Sequence, residues 1–241
     1  MSDVREVRLD WGLHSALKLV SDYEFESVLD IGSGDGLQKY FFEMFGKKVF
    51  SVDMNKNADF VGDFLEIEFE RSFDVIWCSH VLEHQRNVGL FLEKIFTCLK
   101  EDGVLVIVVP IHPRERLIAG HLTSWNSGLL CYNLILAGFD CSEAALLQNF
   151  ELGCILKKRP VDIDAAYRRA GSGADVTGFY QLDPFEVLKD YFPFPVAQGA
   201  NAEVLEHGWG GTNYNLPLPL HGESYKIIGR FVGEDGVLVK V

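Results

Sequence analysis

Apolar runs along this chain change period repeatedly, from continuous to helical and back, and the changes divide it into strands and helices that follow one another in turn. Val28, Leu29 and Ile31 form a short, partly β-branched run suited to a strand buried on both faces, and the glycine-rich turn Gly32-Ser33-Gly34-Asp35-Gly36 follows it. From Leu37 the spacing is helical: Leu37, Tyr40, Phe41, Met44 and Phe45 share a face, and Gly46 marks the stop. A second strand over residues 49–53, an edge strand near Phe60 and a strand over 73–78 come next. Asn87 stands where it can cap a helix that turns Val88, Phe91, Leu92, Ile95 and Leu99 inward. Glu101-Asp102-Gly103 then leads into a strand over 104–109, which Pro110 ends.

Neither period holds from there to Thr123; a helix is expected from about Ser124 to Gly138, and residues 144–147 and 152–156 read as a closing antiparallel pair. The expected fold class is α/β, a doubly wound, mostly parallel seven-stranded sheet with a reversed edge strand. Residues 1–25 read as an N-terminal helical segment, with Leu13, Leu17 and Val20 on one face of a helix over 9–20, and residues 26–160 as the main domain. Beyond Pro160 the composition shifts: Gly171-Ser172-Gly173 is linker-like, Pro184 opens a short helix through Tyr191, and Phe192-Pro193-Phe194-Pro195 breaks it. Residues 225–231 and 237–241 read as a final hairpin, so 161–241 form a C-terminal extension packed on the same domain.

Strand, glycine turn and helix in that order place a ligand at a helix N-terminus. A dinucleotide fingerprint requires a third glycine where this chain has Leu37; its glycines are instead Gly32, Gly34 and Gly36. Asp53 ends the next strand, about 20 residues after the first glycine, where a carboxylate binds ribose hydroxyls. NAD and S-adenosylmethionine both contain that ribose, so Asp53 alone does not choose between them.

Five stretches taken together resemble the successive motifs of class I S-adenosylmethionine-dependent methyltransferases. They are Asp30 to Gly36; Asp53; Val61-Gly62-Asp63-Phe64; the run from Phe73 to Ser79-His80-Val81-Leu82-Glu83-His84; and Leu99 to Ile107. The resemblance covers about residues 26–160 and implies a Rossmann-like methyltransferase fold with S-adenosyl-L-methionine as cofactor. It also implies that the glycine turn packs against the cofactor's methionine part and that Asp53 binds the ribose hydroxyls. Asp63, before bulky Phe64, would face the adenine amino group, while Ser79 and His80 line the far side. The cofactor-binding set so implied is Asp30, Gly32, Ser33, Gly34, Gly36, Asp53, Met54, Asp63, Phe64, Ser79 and His80.

Composition narrows the partners. With 22 Lys and Arg against 35 Asp and Glu the formal charge is −13, and no basic stripe interleaved with aromatics is present, so nucleic acid is not an expected partner. Lys157-Lys158-Arg159 reads as a solvated strand end. No apolar stretch reaches the roughly 18 residues of a membrane span. The 5 cysteines, an odd number without a C-x-x-C pair, fit reduced thiols in a cytoplasmic protein.

His80-Val81-Leu82-Glu83-His84 matches the H-x-x-E-H pattern of a zinc peptidase family, in which two histidines four apart on a helix share one metal. Here it directly follows a strand, where the methyltransferase family has a Leu-Glu-His sequence without metal, so no metal is expected. Glu83 and His84 are instead expected to cap and orient a helix beside the cleft. Methyl transfer to a hydroxyl calls for a base, and His80, His112 and His121 are the candidates at the carboxyl edge of the sheet. Arg114 and Arg116 could hold an anionic group, and Trp125, Tyr132, Trp209 and Tyr214 could stack on a flat acceptor, although exposed arginines and core aromatics are the commoner uses. The leading expectation is methyl transfer to a small-molecule or carbohydrate-like acceptor on oxygen. A catalytically silent scaffold, a protein methyltransferase and, against Leu37, an NAD-dependent oxidoreductase are the alternatives. Oligomeric state is left open.

Overall fold

The computed structural model describes residues 4–9, 11–111, 118–169, 187–196, 204, 206–210, 224–230 and 238–240. In chain order the elements are β1 (Val4–Leu9), α1 (Leu13–Asp22), β2 (Ser27–Ile31), α2 (Leu37–Met44), β3 (Lys48–Asp53), β4 (Phe60–Val61), β5 (Phe73–Ser79), α3 (Val88–Cys98) and β6 (Leu99–Pro110). Then follow α4 (Ser127–Leu136), β7 (Ala145–Gln148), β8 (Glu151–Lys157), α5 (Ile163–Arg169), β9 (Glu206–His207), β10 (Ser224–Arg230) and β11 (Leu238–Lys240).

The main sheet runs β4-β3-β2-β5-β6-β8-β7-β9. Its first five strands are parallel, and β8 is antiparallel to both β6 and β7. The expected mostly parallel α/β sheet is therefore present, with two differences. It has eight strands, because the two-residue β9 adds to the outer edge of β7. The reversed strand β8 lies inside the sheet, between β6 and β7, where its buried side chains require cover on both faces.

Side-chain alternation along the central strands builds one apolar layer on each face. Val75 and Trp77 of β5, with Val104, Val106 and Val108 of β6, pack on one side against Leu13 and Leu17 of α1 and Phe41 and Phe42 of α2. Ile76, Cys78, Leu105, Ile107 and Val109 pack on the other against Phe91, Leu92 and Ile95 of α3 and Leu130 and Leu134 of α4. Leu188, Phe192, Phe194 and Val204, from beyond Pro160, are buried in that second layer. All five cysteines are buried and free.

The N-terminal segment is not wholly helical. Val4–Leu9 forms β1, parallel to β10, and β10 pairs antiparallel with β11, so the expected hairpin gains a third strand from the other end of the chain. α1 starts at Leu13 rather than near Leu9 because Gly12 adopts φ 74 just before it. Among the described residues, no helix is long and apolar enough to cross a membrane. The connections reverse direction at β2: β3 and β4 lie to one side, β5 and β6 to the other. The crevice at the carboxyl ends of β2 and β5 is where such sheets bind ligands.

Candidate functional site

β2 ends at Ile31, and Gly32, with a φ of 74, turns the chain away from the sheet. A Cβ there would lie 2.1 Å from Val81 Cγ2, so only glycine fits between the two strand ends. The Gly32 and Ser33 amides donate to the Val52 carbonyl at 2.8 and 3.3 Å, tying the turn to the end of β3. Asp53, the last residue of β3, accepts from the Gly34 amide at 2.8 Å and the Asn55 amide at 2.7 Å. Each of its oxygens keeps a lone pair for a hydroxyl. Asp63 accepts from the Leu65 amide at 2.9 Å, which fixes the turn around Phe64. Phe64 is buried and meets Phe91 edge to face at 5.2 Å between centroids.

These groups border a cleft of about 640 Å³, a size typical of small-ligand sites. Of the implied cofactor residues, Gly32, Asp53, Met54, Asp63, Phe64 and His80 line it. Ser33, Gly34 and Gly36 build the turn behind that lining, and Gly36 is the residue from which α2 starts. Asp30 is buried beneath the turn. Burial pushes its carboxyl up to about 7, the Asp53 charge adds to the rise, and Lys39 opposes it. Ser79 lies at the end of β5, with its hydroxyl buried against the Gly12 backbone. Gln85, Arg86 and Asn87 also line the cleft; their only sequence signal is their place just after the Leu-Glu-His run.

His80 follows β5 with φ 56, a left-handed conformation uncommon for a residue with a side chain. Its amide donates to the Val108 carbonyl at 2.8 Å. Its ring is held between two buried carboxylates, with Nε2 3.1 Å from Glu151 and Nδ1 3.5 Å from Glu83, and Trp11 lies 4.5 Å away between ring centroids. Burial disfavours the imidazolium, but the hydrogen bonds and charges of Glu151 and Glu83 outweigh that and raise its pKa to about 9. With its pKa raised, His80 favours the cationic form at neutral pH, which suits it poorly among the three candidate bases. Glu151 also accepts from the Gly12 amide at 3.0 and 3.1 Å through its two oxygens. Nothing in the local sequence around Glu151, at the start of β8, marks this role.

The H-x-x-E-H residues do not share a helix. Leu82–His84 is a single 3-10 turn, so His80 points to Glu151 while His84 points elsewhere. A carbonyl can only accept, so His84 Nδ1, 2.8 Å from the Gly120 oxygen, carries the proton. His84 Nε2 then faces Glu83 at 3.7 Å, and the His84 and His121 rings meet edge to face at 5.0 Å. The Leu122 and Thr123 amides donate to the Glu83 carbonyl at 2.7 and 3.4 Å, which brings the His121 segment to this corner. Neither Glu83 nor His84 caps α3, which starts from Asn87. His112, Arg114, Arg116 and Tyr214 lie outside the described residues. Trp125 and Trp209 are core residues, and Tyr132 stacks on Phe192 at 6.4 Å.

A doubly wound sheet, a glycine turn at its switch point and carboxylates on two sides of the cleft define an α/β protein built to hold a nucleoside-containing cofactor. The methyltransferase domain family matches residues 9–134, just over half of the chain. The chain belongs to that family, the class I S-adenosylmethionine-dependent methyltransferases, and S-adenosylmethionine is the cofactor. The ubiquinone biosynthesis O-methyltransferase of Rickettsia bellii is 23% identical over 133 residues, covering 48% of this chain and 55% of the relative. The chain thus spans about half the length of the curated relatives it matches. Among solved structures, the Burkholderia thailandensis 1,6-didemethyltoxoflavin-N1-methyltransferase with bound S-adenosylhomocysteine superposes with a TM-score of 0.51 at 22% identity, covering 60% of this chain and 76% of that one. A Haloferax volcanii methyltransferase solved with its activator protein gives 0.51 at 18% identity, over 62% and 88%. Both likenesses are of fold.

Proposed function

We propose that this chain binds S-adenosylmethionine in the cleft and transfers its methyl group to a small-molecule acceptor, on oxygen. The observation that carries the reading is the meeting of Gly32, Asp53, Asp63 and Phe64 on one cleft of about 640 Å³. When bound, S-adenosylmethionine supplies a methyl group on a sulfonium centre that needs no further activation. The protein's task is then alignment and exclusion of water. Gly32 lets the backbone approach the methionine part closely, and Asp53, oriented by the Gly34 and Asn55 amides, accepts from the ribose hydroxyls. Asp63 accepts from the adenine amino group beside the buried Phe64 ring. Oxygen as the target is supported by the activity named for the Rickettsia relative; the Burkholderia protein is named for methylation at nitrogen.

Calorimetric titration with S-adenosylmethionine and S-adenosylhomocysteine, with NAD as control and Asp53→Ala as the second protein, tests the site. Saturable binding of both sulfur compounds that is lost in Asp53→Ala is the expected result. Binding that Asp53→Ala leaves unchanged overturns the assignment of the cleft. Screening phenolic against amine acceptors for methyl transfer then tests the choice of oxygen.

A further inference from the structure

We propose that Glu83, His84 and His121 form a binding site for a divalent transition-metal ion of the zinc class, at the edge of the cofactor cleft. Each residue offers one ligand atom, and the three atoms lie within 4.8 Å of one another. Metal bonds of about 2.1 Å place donors roughly 3.0 to 3.5 Å apart. Glu83 and His84 are already 3.7 Å apart, so modest side-chain rotations complete the set.

Two further observations point to a cation. Glu83 is fully buried, and its carboxylate makes no close hydrogen bond among the described residues; its nearest donors are the His80 and His84 rings, at 3.5 and 3.7 Å. A buried carboxylate needs compensation by a cation or by donors. The nearby His80 ring, 3.5 Å away, is hydrogen-bonded at its other nitrogen to a second buried carboxylate, Glu151. Two buried carboxylates therefore share one imidazole. The other observation is the second shell of His84: its Nδ1–H donates to the Gly120 carbonyl at 2.8 Å, which turns Nε2 toward Glu83. Metal-binding histidines are oriented by this kind of bond.

The donor set narrows the ion. Two imidazoles and one carboxylate suit Zn²⁺, Co²⁺, Ni²⁺ or Fe²⁺ better than Mg²⁺ or Ca²⁺. Three protein ligands leave at least one coordination position open, the pattern of catalytic sites. His84 itself lines the cleft, so the open position is next to the space for an acceptor. Resting on the methyl-transfer reading, a bound ion would hold an acceptor hydroxyl as its anion, with the O–H proton released to solvent. The H-x-x-E-H pattern is thus used differently from its helical form: His121, from a distant segment, takes the place of His80.

The full chain, stripped with a chelator, would be titrated with Co²⁺ alone and followed by its visible d–d absorption, with Zn²⁺ as competitor. One Co²⁺ per chain, displaced by Zn²⁺, is expected. His121→Ala and Glu83→Gln should each weaken Co²⁺ at least about 100-fold, beyond what loss of a second-shell partner usually costs. His207→Ala, outside the cluster, should leave binding unchanged. Circular dichroism checks folding; if Glu83→Gln does not fold, His121→Ala decides. No Co²⁺ spectrum in the wild type, or affinity retained in His121→Ala, overturns the site. S-adenosylmethionine binding by the stripped protein is measured in parallel. A wild type that binds the cofactor but no Co²⁺ overturns the metal site alone, and one that binds Co²⁺ but no cofactor overturns only the cofactor assignment.

Discussion

Asp30→Asn should stabilise this protein at alkaline pH far more than at acid pH. Asp30 is 2% exposed beneath the glycine turn, and burial, aided by the Asp53 charge, raises its pKa from 3.8 to about 7. Between those two values the folded state keeps a proton that the unfolded state has already released, so stability falls as pH rises through the window. Above pH 7 the full cost stands. The shift of 7 − 3.8 = 3.2 pH units corresponds to about 4 kcal/mol at 1.36 kcal/mol per unit. At pH 5 only about 1.2 of those units are active, so the cost there is about 1.6 kcal/mol. Asparagine has nearly the same shape and carries no charge, so the variant escapes this dependence. Urea unfolding of both proteins at pH 5 and pH 8.5 should show the difference in stability shifting by about 3 kcal/mol in favour of Asp30→Asn at the higher pH. Comparing the two proteins at each pH cancels every other titrating group. A difference that stays constant within about 1 kcal/mol refutes the reasoning, because it would mean that Asp30 is charged in the folded state at both pH values. Adding Asp53→Asn should shrink the effect, since it removes the second cause of the shift.

Gly32→Ala should cost roughly 1–3 kcal/mol and weaken S-adenosylmethionine binding, because its Cβ would strike Val81 at 2.1 Å; Gly34→Ala, with nothing within 4 Å of its Cβ, should cost less in thermal denaturation. Glu151→Ala leaves the Gly12 amide without its acceptor and should lower stability by about 2–5 kcal/mol in urea, whereas Glu151→Gln should recover part of that loss by keeping an oxygen for the same amide. Asp74 is raised by its partial burial but held down to about 2 by bonds from Lys100 and from the Ser27 hydroxyl and amide. Its folded pKa lies below 3.8, so its contribution is present above pH 4 and is lost as pH falls toward 2; an acid unfolding curve of Asp74→Asn should lack that component.

The parts of the site legible in the sequence are those that local rules govern. Gly32 and Asp53 could be read because a strand end needs a glycine to turn and because an acid at the next strand end lies beside that turn. α2, α3 and β4 to β8 could be read because their apolar positions follow the periods of helix and strand. The expectation that Glu83 and His84 cap a helix did not hold, because α3 starts later, from Asn87. Spacing of four implies a shared face only on a helix, and the chain here takes one 3-10 turn. The strand β1 was not legible either: its partner β10 comes from the far end of the chain, and no local pattern records that pairing.

By itself the sequence determined the order of strands and helices from β2 to β8, the side of the sheet that carries the glycine turn and the family to which the chain belongs. These follow from periodicity and turn chemistry, which act across a few residues. Only the tertiary structure decided that Glu151 would meet His80, 71 residues away, and the Gly12 amide, 139 residues away. It likewise set His121 beside Glu83 and His84 by binding Leu122 and Thr123 to the Glu83 carbonyl. Such meetings depend on the path of the whole chain around the two apolar layers, because a side chain specifies its own chemistry and not the distant partner that packing brings to it.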